Sequence, residues 1–250
     1  IPQIDGKPKS YSNYQEWRLD LADSYGKYCV FCNGDLKYNI HVEHLVPQSN
    51  PEVDPFDWDN LGLACGPCNI AKSDKPVNRD ELYLPQHHNT HLVFDFETRP
   101  HGTLEGKVAC IPVPKKDLSP AQIDKAKRTI QLVELDRVEQ DPQRERKMTD
   151  VRWFYRYTAY VAALSARQSW DLFVGHADYR PGEAGEYLEC LAPQVKAIGF
   201  FSLWINAFID VPEALEVIIN AIPGTAIECF DKDNGWSPIP RNPGNESDPI

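Results

Sequence analysis

Two Cys-x-x-Cys pairs constrain this 250-residue chain more than any other feature. The first pair is Cys29 and Cys32, and the second is Cys65 and Cys68. Each pair can place two thiolates on one tetrahedral metal ion from a single tight turn. Because the N-terminus lacks an apolar signal-peptide core, we interpret the pairs as metal ligands rather than disulfides. The sequence therefore predicts a structural Zn²⁺ site that braces the segment between the pairs.

Short apolar runs and turn signals predict the secondary structure around the pairs. Tyr14, Trp17 and Leu21 are spaced as on an amphipathic helix over 13–25. The β-branched run 39–46 predicts a strand. Residues 61–64 can form a second strand, and a short helix can start from Asn69 onward. The predicted order is strand, loop, strand, helix.

The chain after residue 90 has a different pattern of apolar residues. Two strand-like runs within 91–113 predict a hairpin, and the periodicity after it is helical. We predict helices over 119–139, 149–172, 195–208 and 211–221, followed by an irregular tail. The predicted fold class is α+β: a small zinc-braced ββα unit, a β-hairpin connector and a helical C-terminal domain.

Four polar residues lie between and just after the cysteine pairs: Glu43, His44, Asn60 and Asn69. A carboxylate and an amide oxygen suit a hard divalent cation, and an imidazole can accept a proton near neutral pH. Taken singly, each has an ordinary interpretation as a structural histidine, a solvated charge, a turn residue or a helix cap. Because neighbours on a strand point to opposite faces, the turn at Pro47 must bring Glu43 and His44 to one site.

Together these residues resemble the motif of the HNH, or ββα-metal, nucleases. In that family an acid and a histidine precede a proline, an asparagine follows, and a histidine or asparagine heads a helix. Here the motif reads Val42-Glu-His-Leu-Val-Pro-Gln-Ser49, then Trp58-Asp-Asn60-Leu, then Cys68-Asn-Ile-Ala-Lys-Ser-Asp74. The resemblance covers about residues 12–75 and is closest to the branch with Asn at the last position. Glu43 replaces the commoner Asp, which lengthens the ligand arm and bears on the metal preference.

The resemblance implies a role for each residue. A catalytic Mg²⁺ or Mn²⁺ would be held by Glu43 and Asn69, while His44 acts as general base on the attacking water. Asn60 would hold the loop and orient the histidine, and Lys72 could contact a phosphate oxygen. The implied reaction is hydrolysis of nucleic acid, with DNA favoured over RNA as substrate. This hydrolysis leaves a 5′-phosphate.

The same resemblance suggests domains and partners. We expect an HNH nuclease domain over 1–85, a connector over 86–118, a helical domain over 119–232 and an irregular tail over 233–250. In overall plan the chain is similar to the nuclease subunits of Septu-type anti-phage defence systems, whose partner is an ATPase. The last hundred residues hold 7 basic and 13 acidic side chains. This balance favours a protein partner over nucleic acid for the helical domain.

Two other functions use the same residues. Zinc deaminases carry His-x-Glu and a downstream Pro-Cys-x-x-Cys, which His41, Glu43, Cys65 and Cys68 match in part. Ala64 stands where that motif has proline. The other alternative is a non-catalytic zinc-knuckle module that binds a partner.

Three further histidines follow the HNH-like motif, just before or at the start of the predicted hairpin. His87, His88 and His91 lie close in sequence, and we interpret them as surface residues rather than a metal cluster. No apolar stretch approaches the length of a membrane span, so we expect a cytoplasmic protein without membrane contact.

Overall fold

The computed structural model describes residues 2–4, 7–37, 40–75, 77–138, 150–176, 178–180, 184–245 and 247–250. Within these ranges it forms seven α-helices and four two-stranded antiparallel sheets. Two of the sheets are minimal: β1 (Gln3–Ile4) pairs with β2 (Lys7–Pro8), and β7 (Phe230–Asp231) pairs with β8 (Ser237–Pro238). Short 3₁₀ helices lie at Trp58–Asn60, Arg79–Glu81, Thr90–Leu92, Ile227–Cys229 and Lys232–Asn234.

A 3₁₀ helix and an α-helix precede the first cysteine pair. The 3₁₀ helix spans Tyr14–Trp17 and is capped by the side chain of Asn13. It runs directly into α1, Arg18–Tyr25, which ends at Gly26 with a φ of 75°. The helix predicted over 13–25 is therefore confirmed, in two parts.

A short hairpin and a helix carry the segment between the cysteine pairs. β3 (His41–His44) pairs antiparallel with β4 (Leu61–Ala64), so that His44 lies opposite Leu61. All of β4 is buried. Only Cys65 separates β4 from α2 (Gly66–Lys72), which has a proline in its first turn. The strand, loop, strand, helix order agrees with the sequence prediction.

The second hairpin and α3 follow. β5 (Phe94–Pro100) pairs with β6 (Val108–Pro114) over seven positions, as predicted for this region. α3 (Pro120–Leu132) starts with a capping box formed by Ser119 and Gln122. The prediction that this helix runs to 139 is wrong, because the chain leaves the helical conformation at 133–134.

Four helices make up the C-terminal part: α4 (Arg152–Val174), α5 (Ala184–Ile198), α6 (Phe201–Ala207) and α7 (Pro212–Ala221). The single helix predicted over 195–208 is wrong. Gly199 and Phe200 both have positive φ, 71° and 54°, and they separate α5 from α6. Here Gly199 forms a β-bridge with Gly34, so its backbone is engaged with the segment around the first cysteine pair instead of continuing the helix.

Two main apolar cores stabilise the fold. The first joins α1, the β3–β4 hairpin and α2 with the end of α3, through Ile130, Leu132, Val133 and Leu135. The second lies among α4, α5, α6 and α7. The domain boundaries at 85, 118 and 232 stay predictions. No helix among the described residues is both long and apolar enough to cross a membrane.

The histidines near 90 and the tail pack more tightly than predicted. His91 is only 4 % exposed, so its assignment to the surface is wrong. The side chain of Lys125 donates to Asp248 at 2.6 Å and lies 3.3 Å from the ring of His88. Tyr83 also donates to Asp248, at 2.8 Å. These contacts anchor the mostly irregular tail to α3.

Candidate active site and metal centre

The four cysteines of the two pairs converge on one point. Their Sγ atoms all lie within 4.8 Å of one another, and those of Cys32 and Cys65 are 3.8 Å apart. A tetrahedral Zn²⁺ with bonds of about 2.3 Å separates its sulfurs by about 3.8 Å, whereas a disulfide brings them to about 2 Å. The cluster therefore fits one Zn²⁺ ion. It is the one such group of potential ligands found within the described ranges.

Local turns place the cysteines. Asn33 adopts a left-handed conformation with a φ of 61°, and its N–H donates to the carbonyl of Cys29 at 2.8 Å. The N–H of Val30 donates to the carbonyl of Leu63 at 2.8 Å, which ties the first pair to β4. The second pair lies at the start of α2. Burial is the main cause that raises the pKa of the Cys68 thiol, so metal binding must release its proton.

Glu43 and Lys72 form a buried ion pair beneath α2. Nζ of Lys72 lies 2.6 Å from Oε1 of Glu43. Lys72 is 1 % exposed and Glu43 is 8 % exposed. Burial raises the pKa of the Glu43 carboxyl, and the hydrogen bond from Lys72 opposes that rise. The carboxylate thus lies where an adjacent cation is needed to stabilise its charge.

Asn69 occupies the same side of α2 as Lys72. Residues three apart share a helix face, so Asn69 lies on the face of α2 that carries Lys72. Asn69 is half-buried, and its amide has no hydrogen-bond partner among the described residues. Within the same ranges, Oε2 of Glu43 also accepts no hydrogen bond. The two residues therefore offer a carboxylate and an amide oxygen, the donor types that suit a hard divalent cation.

The ring of His44 is fixed from two sides. Its Nε2 lies 2.9 Å from the carbonyl oxygen of Pro55, and the side-chain amide of Gln48 lies 3.1 Å from the same nitrogen. The ring packs edge-on against Tyr14, with centroids 4.6 Å apart. We assign the proton to Nε2, because the Pro55 carbonyl can only accept. The Gln48 amide must then turn its oxygen toward Nε2, since its NH2 group cannot donate to a protonated nitrogen. In the neutral ring the lone pair is then on Nδ1, to which no described residue forms a hydrogen bond.

The surroundings keep His44 neutral. Burial lowers the pKa of His44, the Pro55 carbonyl opposes this, and the nearby charge of Lys72 lowers it further. The net shift is downward from the ordinary value of 6.5. At neutral pH the imidazole is therefore available as a proton acceptor.

Asn60 holds the chain as it leaves β3. It is 2 % exposed, and its Oδ1 accepts from the N–H of Val46 at 2.8 Å. Its Nδ2 donates to the carbonyl of Val46 at 2.9 Å. The backbone carbonyl of Asn60 accepts from Leu45 at 2.9 Å. One side chain thus continues the β3–β4 pairing past His44.

Glu43 and His44 point in different directions. Glu43 contacts Lys72 of α2, whereas His44 contacts Tyr14 before α1. The alternation of a regular strand therefore extends to the last residue of β3. The turn at Pro47 leaves that alternation in place, so the expectation that it brings the two side chains to one site is not met.

One segment of the chain matches a known family model. Residues 29–75 match the model of the HNH endonuclease family. This HNH segment contains both cysteine pairs, β3, β4 and α2, together with Glu43, His44, Asn60 and Asn69. Neither the comparison with curated proteins nor the comparison with solved structures gives a match.

The cluster argues against a deaminase-type site. That chemistry needs a zinc ion with one histidine, two cysteines and an open position for water. Here the described cluster consists of four cysteines and does not include His41. Four thiolates fill a tetrahedral shell and leave no open position.

Several contacts of the HNH segment could not be read from the sequence. The Pro55 carbonyl and the Tyr14 ring both position His44, yet neither belongs to a motif. Arg152 of α4 donates to Sγ of Cys68 across 84 residues of sequence. Its sequence neighbourhood reads as an ordinary basic run, so no local signal marks it.

Proposed function

We propose that the HNH segment is a metal-dependent endonuclease that hydrolyses phosphodiester bonds, with DNA favoured as substrate. The observation that carries this proposal is the state of His44. Its Nε2–H is committed to the Pro55 carbonyl, so the basic Nδ1 is free to accept a proton. A positioned imidazole with a pKa below 6.5 suits a general base at neutral pH.

The proposed reaction is an in-line displacement at phosphorus. Nδ1 of His44 takes a proton from a water molecule, and the water oxygen forms a bond to phosphorus. The bond between phosphorus and the 3′ oxygen breaks, and that oxygen takes a proton from solvent. The products are a 5′-phosphate and a 3′-hydroxyl group.

Glu43 and Asn69 are the proposed ligands of Mg²⁺ or Mn²⁺. When bound, such an ion would take up the negative charge that develops on the phosphate. The support is their open oxygen donors and the buried charge of Glu43. Lys72, proposed from the sequence as a phosphate contact, instead lies against Glu43. We propose that it stabilises this carboxylate.

The end of β3 is the proposed position of the scissile phosphate. Glu43 faces α2 and His44 faces Tyr14, so a group at the strand end lies between the two. Asn60 fixes the backbone at this point through Val46. Its proposed role is therefore to position His44 through the backbone.

The test compares two histidines of the same strand. Wild-type protein, His44→Ala and His41→Gln are incubated with plasmid DNA and with transfer RNA in Mg²⁺, Mn²⁺ or EDTA. We expect His44→Ala to lower cleavage by about 10² to 10⁴-fold, the usual contribution of a general base. His41→Gln should cleave like the wild type, and EDTA should abolish cleavage by both. His44→Ala loses the contacts with Pro55 and Tyr14 and should melt at a lower temperature, but it should keep its zinc and stay folded at the assay temperature.

Two results would contradict the proposal. Cleavage by His44→Ala at the wild-type rate would exclude its role as base. A folded, zinc-loaded wild type without cleavage of either substrate would favour the non-catalytic zinc-knuckle module instead.

A role in anti-phage defence is the wider proposal. It is supported by the similarity in plan to Septu-type nuclease subunits and by the acidic balance of the last hundred residues. An ATPase partner would restrain the nuclease until it is triggered. The cleavage assay, repeated with any ATPase encoded beside this chain, tests it: cleavage that does not change on addition of the ATPase and ATP would contradict the proposal.

A further inference from the structure

Two arginines of α4 are buried beside the four cysteines. Arg152 is 6 % exposed and Arg156 is 1 % exposed. Nη1 of Arg152 lies 3.0 Å from Sγ of Cys68. A guanidinium at this distance donates a charge-assisted hydrogen bond to a thiolate.

Arg152 uses all of its hydrogen-bond donors. A guanidinium has five N–H groups in a fixed plane, and the structure provides five acceptors. They are Sγ of Cys68, the carbonyls of Val133 and Glu134, and both carboxylate oxygens of Asp150. The two carbonyls belong to the turn after α3, where Glu134 has a φ of 52°. Such complete pairing fixes the cation in one orientation.

Arg156 lies one turn further along α4. Its Nη1 donates to the carbonyls of Cys110 and Leu135, at 2.9 and 3.1 Å. Its guanidinium also stacks near the ring of Phe200, 5.7 Å from the centroid. Arg156 and Cys32 line the same cavity. The second cation is therefore within electrostatic range of the first cysteine pair.

The two arginines can offset the negative charge of four zinc-bound thiolates. Four thiolates around one Zn²⁺ ion leave two negative charges. Cys29 and Cys68 are buried, and a buried charge without a counter-charge is strongly destabilising. The two guanidinium groups carry two positive charges, of which Asp150 offsets a part.

We infer that Arg152 and Arg156 supply the counter-charge of the zinc site, so that the site closes fully only when α4 is docked on it. This inference rests on the proposal that the four cysteines bind zinc. Tight metal binding by the HNH segment would then depend on residues outside it, because the segment ends at residue 75 and Arg152 lies more than 75 positions further along the chain.

A second contact links the same two regions. The N–H of Phe200 donates to the carbonyl of Asn33 at 2.7 Å, and Gly199 forms a β-bridge with Gly34. Asn33 and Gly34 form the turn that follows Cys32. The C-terminal helices therefore contact the turn after Cys32 by backbone and Cys68 of the second pair by the Arg152 side chain.

The test uses the full chain and four variants. Arg152→Met and Arg156→Met remove one charge each, and Arg152→Lys keeps the charge but not the five-donor fork. The matched control is Arg167→Met, on the same helix, because Arg167 pairs with Asp171 and Asp210 instead. Zinc content is first measured on the wild type, and zinc release to a chromogenic chelator is then followed in time.

We expect Arg152→Met and Arg156→Met to release zinc at least about ten-fold faster than the wild type, as is usual for outer-shell partners of a metal site. Arg152→Lys should lie between, and Arg167→Met should match the wild type. In Co²⁺-loaded protein, the sulfur-to-cobalt charge-transfer band of Arg152→Met should shift to lower energy, because the sulfur loses a hydrogen bond.

The results distinguish a failure of the zinc proposal from a failure of the counter-charge inference. A wild type without zinc would end the zinc proposal itself. A zinc-loaded wild type whose release rate is the same in Arg152→Met and Arg167→Met would overturn the inference alone.

A measurement on the wild type covers variants that do not fold. Removal of zinc by a chelator should speed amide hydrogen exchange at 152–156, the start of α4, more than at 163–170 of the same helix. Equal protection of both stretches before and after chelation would also overturn the inference.

Discussion

The ammonium of Lys72 contacts the carboxylate of Glu43 at 2.6 Å, in a part of the HNH segment where both side chains are buried. If Glu43 also binds a divalent cation, the lysine and the metal stabilise the same negative charge. Removal of the lysine should therefore make the fold depend on the metal.

Lys72→Met is the first prediction. Loss of one partner of a buried pair leaves the other charge unpaired, at a cost of about 3 kcal/mol or more. We expect the metal-free variant to lose that much unfolding free energy. Saturating Mn²⁺ should raise its melting temperature more than it raises that of the wild type, as measured by calorimetry.

The control for this prediction is Lys125→Met. Lys125 also forms a largely buried pair, with Asp248 at 2.6 Å, but outside the HNH segment. The Lys125→Met variant should be destabilised, and Mn²⁺ should not raise its melting temperature more than that of the wild type. Equal effects of Mn²⁺ on both variants would show that Glu43 is not a metal ligand.

The acid limb of the cleavage profile tests the state of His44. The pKa of His44 in the folded protein is lowered, first by burial, so the folded state binds this proton less readily than the unfolded chain. Stability and cleavage should therefore both be present above about pH 6.5. Both should fall as the pH drops through the lowered pKa. We expect the midpoint of the acid limb below 6.5, measured at saturating Mn²⁺.

Glu43 requires a separate measurement in the same experiment. Burial raises the pKa of its carboxyl, so acid can also weaken metal binding. The affinity for Mn²⁺ is measured over the same pH range, and the cleavage profile is corrected for it. A corrected midpoint at or above 6.5 would contradict the buried, neutral imidazole.

The sequence was most informative where contacts are local. The cysteine pairs, the β3–β4 hairpin and the first turn of α2 lie within about 45 residues, and periodicity and motif spacing predicted their order. Gly199 shows the limit. A glycine inside an apolar run is unfavourable in a helix but does not by itself end one. The helix ends here because Gly199 pairs with Gly34, 165 positions earlier. Arg152 and Cys68 are likewise brought together only by tertiary packing.

Asn60 and Asn69 should respond differently to alanine. Asn60→Ala leaves the N–H and carbonyl of Val46 without their partners, which should cost about 1–3 kcal/mol. Asn69 has no side-chain hydrogen bond to any described residue, so Asn69→Ala should change the stability little. Its affinity for Mn²⁺, measured by titration calorimetry, should fall at least about ten-fold if it is a ligand.

The two variants serve as controls for each other. Stability is measured by urea unfolding and metal binding by calorimetry on the same preparations. Unchanged Mn²⁺ affinity of Asn69→Ala would remove it from the proposed ligand set. An Asn60→Ala variant as stable as the wild type would contradict its role in holding the end of β3.

Alanine substitutions at Gly199 and Gly106 distinguish the cost of backbone strain from the cost of a steric clash. Both have a positive φ, 71° and 69°, which an alanine adopts at a cost of about 1 kcal/mol. A Cβ at Gly106 would meet no atom within 4 Å, whereas one at Gly199 would lie 2.9 Å from the backbone nitrogen of Asp35. Gly106→Ala should therefore lose about 1 kcal/mol of stability, and Gly199→Ala about 3 kcal/mol.

The same pair of variants also tests how the C-terminal helices hold the zinc site. The added methyl group at Gly199 must push α5 and α6 away from the turn at Asn33, which carries the first cysteine pair. Gly199→Ala should then release zinc faster than the wild type, while Gly106→Ala should release it at the wild-type rate. If both variants release zinc equally, the contact between Gly199 and the cysteine turn stabilises the fold without supporting the metal.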